Sequence, residues 1–164
     1  MTNTISGAIS VIKTRKISYG GTAAVVTSMA LINGLVAADA TRPVIVSTLL
    51  IAALADNLTD TLSIHIYQES EQLNKKDALT GTVTNFLTRL LFGISFILLV
   101  GLFPLPYIGK AAIIWGMLLL AVLTYLVARE RNVKPLPEVL IHLLAASVVI
   151  TVSMMIGHYI GAVL

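Results

Sequence analysis

The chain has 164 residues, 57% of them hydrophobic and only 12% charged, and its mean hydropathy is +0.92. A soluble domain carries about 25% charged residues; half that density cannot coat a water-facing surface, so the solvent for so much apolar side chain is lipid. The net charge of +3 comes from cations between apolar stretches, which argues for membrane flanks and against nucleic acid, and the lack of cysteine excludes disulfides, thiolate metal sites and cysteine nucleophiles.

Residues 1–18 are rich in Ser, Thr and Ile and carry Lys13, Arg15 and Lys16. No small-residue cleavage site follows a short apolar core, so this is read as a cytoplasmic N-terminal segment and not as a signal peptide. The remainder, 19–164, reads as one transmembrane domain. Its first apolar stretch runs from about Thr22 to Ala38, where Asp39, Arg42 and Pro43 disfavour continuing in lipid. The second runs from about Pro43 to Tyr67. It begins strongly apolar and then turns polar, through DNLTDTLSIHIYQ. A charged loop is expected from Gln68 to Gly81. The third span covers about Thr82 to Phe103 and ends in the Pro-rich turn FPLPYIG; the fourth covers about Lys110 to Ala128, and the fifth about Glu138 to Val163.

Apolar runs of this length form helices in a bilayer, because a helix satisfies its own backbone hydrogen bonds. The alternating segments of about ten residues that mark a membrane barrel are missing. The expected fold is therefore all-α, an integral membrane bundle of five helices. Lysine and arginine placement sets the orientation. With the N-terminus inside, nine cations fall on inner segments and two, Arg42 and Lys110, on outer ones. N-terminus in, C-terminus out is expected, at a prokaryotic cell (inner) membrane.

Chemistry concentrates in the second span. Asp56 and Asp60 are four residues apart and share a helix face. Ser63 and Tyr67 continue that stripe, and Asn57, Thr61, His65 and Gln68 form its neighbour. An ionised carboxylate at mid-membrane costs at least ~2.5–3.5 kcal/mol, so such residues face a bundle interior or a watery cavity and mark ion or proton pathways. Counted from Pro43, Asp56 lies about 20 Å down the helix and Asp60 about 26 Å, in the inner half of a ~30 Å core.

Carboxylates, amides and hydroxyls are hard oxygen ligands suited to Mg²⁺, Mn²⁺ or Ca²⁺ and tolerable for Fe²⁺. Asp56, Asp60, Asn57 and His65 form the candidate metal set. Asn33 in the first span, Ser63 in the second and Asn85 with Arg89 in the third are candidate pathway residues; Arg89 is expected either to snorkel or to pair with an acid of the second span. His142 and His158 lie ~24 Å apart on one helix and are read as hydrogen-bonded bundle residues. Gly157 and Gly161, four apart, allow close helix approach, within one bundle or between copies. No catalytic constellation is visible. Aspartyl membrane proteases place their two aspartates on different helices, whereas both lie on one here, so the chain is not expected to be an enzyme and no resident cofactor is implied.

These stretches resemble the vacuolar iron transporter family over most of the chain, from Tyr19 onward. YGGTAAVVTSMALINGLVAA is similar to the family's first span, LADNLTDTLSIHIYQESE to its second, with Ala55, Asp56, Ser70 and Glu71 matching, and LLFGISFILLVGLFPLPYIG to its third span and Pro-rich turn. The resemblance implies a homodimer that exchanges Fe²⁺ or Mn²⁺ for protons along a pathway between subunits. Asp56 is the matching acid. The family's first-span aspartate falls at Ala23, its second-span methionine at Asp60, and its acid before a tyrosine at Ile64, with His65 at the tyrosine position. The family's long glutamate-rich cytoplasmic helices are missing, and Asp60 is expected to stand in for the missing first-span carboxylate. The expectation is a divalent-metal transporter whose partners are the lipid bilayer, a second copy, metal ions and protons. The alternative is a transport-inactive membrane subunit or scaffold derived from that family.

Overall fold

The computed structural model describes the backbone of residues 2–70 and 75–163, and side chains from Gly20 onward except at 68–69 and 75–78. Among the described residues there are helices and connecting turns and no strands. Helix α1 (Thr2–Ala37) is followed by α2 (Arg42–Ile51), which passes through a π-helical turn (Ala52–Asp56) into α3 (Asn57–Ser70). Then come α4 (Lys75–Leu102), a 3₁₀ turn (Leu105–Tyr107), α5 (Ile108–Glu130) and α6 (Pro135–Val163). Five stretches are long and apolar enough to cross a membrane: Gly20–Ala37, Arg42–Tyr67, Leu79–Leu102, Leu105–Glu130 and Pro135–Val163. The five expected spans are all present, and α2, the π turn and α3 together make the second.

The apolar span of α1 begins at Gly20, although the helix itself runs unbroken across residue 18. The loop expected over 68–81 is helical at both ends: α3 continues to Ser70, and α4 has begun by Lys75. Charged side chains end a membrane span but not a helix, because Lys and similar straight-chain residues keep good helix propensity in water. Residues 71–74, with Glu71, lie outside the described residues.

The helix ends follow from local chemistry. Asp39 and Asn132 both adopt φ 55°, the left-handed conformation that Asn and Asp tolerate best after glycine. At the first end, Ala40 N donates to Leu35 O at 3.0 Å and Asp39 N to Val36 O at 3.2 Å; at the second, Val133 N donates to Ala128 O at 3.1 Å and Asn132 N to Arg129 O at 3.2 Å. Both are Schellman caps, which satisfy the last carbonyls of α1 and α5. Pro43 and Pro135 follow and start the next helices, where a missing N–H costs nothing. The turn after α4 is tied down by Arg42, whose guanidinium donates to Gly101 O at 3.2 Å and Phe103 O at 2.8 Å. That contact puts the starts of α2 and α5 at the same end of the bundle.

Helix α1 is the central post. Of its span, 44% is buried, against 11% for the span of α6. Val25, Met29 and Ile32 of α1 meet Ile45 and Leu49 of α2, Phe96 and Val100 of α4, Ile108, Ala112 and Leu120 of α5, and Ile150 of α6 in one apolar core. The outward faces are also apolar, as in Leu62, Leu91, Leu118 and Leu144. A bundle hydrophobic on the inside and around the outside is solvated by lipid. Gly157 lies so close to α1 that a methyl group there would collide with the Gly34 carbonyl oxygen, and Gly161 faces Ala38. The small-residue pair therefore serves packing of α6 on α1 within one chain.

Candidate functional site: two aspartates on one arginine

The second span changes character at the π turn, Ala52–Asp56. A π turn inserts one extra residue into the helix and is common at functional sites. After it, the two polar stripes, about 100° apart around α3, face different surroundings. Asn57, Thr61 and His65 turn toward the bundle, with Asn57 only 1% exposed. Asp56, Asp60, Ser63 and Tyr67 lie toward the outside.

Arg89 of α4 reaches across to both acids. Its Nη2 lies 2.8 Å from Asp56 Oδ2, and its Nη1 forms an ion pair with Asp60 Oδ2. The arginine is 4% exposed, whereas Asp56 and Asp60 are 49% and 42% exposed. Of the two expectations for Arg89, pairing holds, and it holds with both acids at once. Arg89 therefore leaves the topological charge count, which stands at eight cations against two. A planar guanidinium with forked donors can serve two carboxylates in a way that an ammonium cannot.

Next to this triad is a cavity of about 20 Å³ lined by Thr27 and Ser28 of α1, Ala52, Ala53, Asp56 and Asn57 of the second span, and Arg89 and Gly93 of α4. That is room for about one water. The small side chains of the π turn and Gly93 leave the space; its lining is mainly apolar, with Ala24 and Leu49 beside the alanines, and the hydroxyls, carboxylate and guanidinium supply its polar part.

The remaining candidates separate. Asn57 acts as a clamp: its Nδ2 donates to Phe86 O of α4 at 3.0 Å, and its Oδ1 accepts from Thr61 at 3.5 Å. Ser63 donates to Thr59 O of its own helix at 3.0 Å. His65 is half-buried on the inner stripe, more than one turn beyond Asp60. Asn33 is elsewhere. It donates to Met29 O at 2.8 Å, and its side-chain oxygen lies against Gly109 of α5. Five residues beyond Ser28, Asn33 is turned about 140° around α1, so α1 offers the site Thr27 and Ser28 instead. Asn85 is one turn before Arg89, 2% exposed, with neither polar side-chain atom hydrogen-bonded. It packs against Gly20, where any larger residue would strike its side-chain oxygen. His142 and His158 bond to carbonyls one turn back, Glu138 O at 2.8 Å and Met154 O at 2.9 Å.

Among the described residues no three His, Cys, Asp or Glu side chains converge as metal ligands would; the chemistry present is a carboxylate pair carrying one resident cation. Comparison with family models, with curated proteins and with solved structures finds no match for this chain. Fold and site together define a class, a five-span helical bundle of membrane type with an ionic cluster at span depth.

Proposed function

We propose that this protein is a carrier for divalent metal cations of the Fe²⁺ or Mn²⁺ class, coupled to protons and working as a homodimer. The observation that carries the reading is the pair Asp56 and Asp60, half-exposed on the outward side of a membrane-spanning helix. Two aspartates against one arginine leave the cluster with one excess negative charge. Ionised carboxylates do not face lipid without large cost. A second copy laid against the same stripe would cover them and line a polar seam with Ser63 and Tyr67. Metal ions and protons compete for the same carboxylates there, because a carboxylate binds a metal cation only when deprotonated. The resemblance of the first three spans to iron transporters supports the same cargo class.

Uptake of Mn²⁺ into proteoliposomes tests the proposal: uptake above protein-free vesicles supports it, and its absence refutes it. The second reading, a membrane scaffold that does not transport, is favoured by one observation: Arg89 already holds both acids. A scaffold gives no rise in the unfolding temperature with Mn²⁺, whereas a bound cargo must stabilise the folded state.

A further inference from the structure

Arg89 approaches the two acids from the bundle side. It uses Oδ2 of Asp56 and Oδ2 of Asp60, and among the described residues neither carboxylate has another hydrogen bond or ion pair to a different helix. The acids are half-exposed on the opposite side, while the arginine is buried. An ion arriving from the exposed side therefore meets carboxylates that are shared with a cation already in place. With Arg89 held there, a divalent ion would turn a cluster of charge −1 into one of charge +1, with two cations at close quarters in a poorly screened medium. The arginine cannot relieve this by losing its proton, since guanidinium stays charged in proteins.

We infer that Arg89 is a tethered counter-cation: it occupies the carboxylates when no ion is bound, and it must release at least one of them for a divalent ion to bind. The inference rests on the cation-site reading above and says how that site is tuned. Arg89 lowers the affinity for cargo, so that cargo can leave again. It also halves the charge of the empty site, from −2 to −1, which lowers the cost of returning the empty carrier across a low-dielectric layer. Without Arg89 the site would hold cargo more tightly and could change sides only when loaded. Beyond the two acids the guanidinium has no hydrogen-bond partner among the described residues, its Nε included, so giving up one carboxylate breaks no bond except the ion pair itself.

The test is Mn²⁺ binding to the purified full chain by titration calorimetry, with Arg89→Gln and Arg89→Lys beside the parent, and Mn²⁺ flux in proteoliposomes. Removing the competing charge is expected to tighten Mn²⁺ binding by about tenfold or more. Arg89→Lys should fall between, because one ammonium cannot fork to both acids. In flux, Arg89→Gln should keep exchange of Mn²⁺ for Mn²⁺ and lose net uptake into Mn²⁺-free vesicles. A gain in affinity cannot come from damaged folding, and if Arg89→Gln does not fold, tighter binding by Arg89→Lys carries the test. Binding by the parent with equal or weaker binding by the variants overturns the tethered role and leaves the cation site standing. No binding by the parent or either variant overturns both.

Discussion

The Arg89 guanidinium lies 2.8 Å from the Asp56 carboxylate, yet the two partners have different surroundings, the arginine 4% exposed and the aspartate 49%. The asymmetry decides which member is expensive to strip. Losing both acids strands a buried charge, a loss of the order of 3–5 kcal/mol. Losing the arginine leaves two carboxylates that reach an open face. Asp56→Asn with Asp60→Asn should therefore unfold at lower temperature in detergent than Arg89→Gln, read by thermal denaturation. The reverse order would mean that the acids, not the arginine, are the buried partners. Either single Asn variant leaves Arg89 one carboxylate and should fold.

Asn57 and Asn85 are both buried, and their substitutions should act in opposite directions. Asn57→Ala removes the bond to Phe86 O and should cost about 1–2 kcal/mol. Asn85→Ala removes an amide with neither polar atom satisfied and relieves its contact with Gly20, so it should be neutral or stabilising. Melting curves of the two variants against the parent check this; equal losses at both positions would contradict it.

A similar contrast separates two glycines. A methyl at Gly157 meets the Gly34 carbonyl on a neighbouring backbone, which cannot swing aside; a methyl at Gly101 meets nothing within 4 Å. Gly157→Ala should cost about 1–3 kcal/mol through overpacking of α6 on α1. Gly101→Ala should gain up to about 1 kcal/mol from helix propensity. Stability measured by unfolding in mixed micelles distinguishes them.

The proposed homodimer can be tested by site-directed cross-linking, because the chain has no cysteine. Ser63 lies on the acid stripe, whereas Leu144 lies on the lipid-facing side of α6. In native membranes a short bifunctional thiol reagent should join Ser63→Cys into dimers and leave Leu144→Cys monomeric. Cross-linking at Leu144→Cys alone would put the seam on α6.

What could be read beforehand divides along a physical line. Periodicity, charge and proline locate residues along a helix axis, so the five spans, and the place of Asp56 and Asp60 within the second of them, were legible. Rotation of one helix about its axis relative to its neighbours depends on packing. That is why Asn33, the most polar residue of the first span, faces α5 while Thr27 and Ser28 reach the cavity. It is also why the sequence sets the two polar stripes of α3 side by side without showing which one turns inward. The π turn left no mark beyond the small residues of AALAD. The arginine's dual pairing needs three side chains from two helices at one depth, and a sequence supplies only the types. Among the described residues, α4 had already begun at Lys75 because charge ends a span without ending a helix.

The central claim, that the acid pair handles a cation, is tested most directly by Mn²⁺ uptake into proteoliposomes bearing Asp60→Asn beside the parent at equal protein density. Asp56 still satisfies Arg89 in that variant, so the bundle stays folded while the cluster loses its excess negative charge. Parent uptake above empty vesicles is expected, with a fall of about tenfold or more in Asp60→Asn, the order of one lost charge contact in a poorly screened site. Parent uptake that Asp60→Asn leaves unchanged would contradict it.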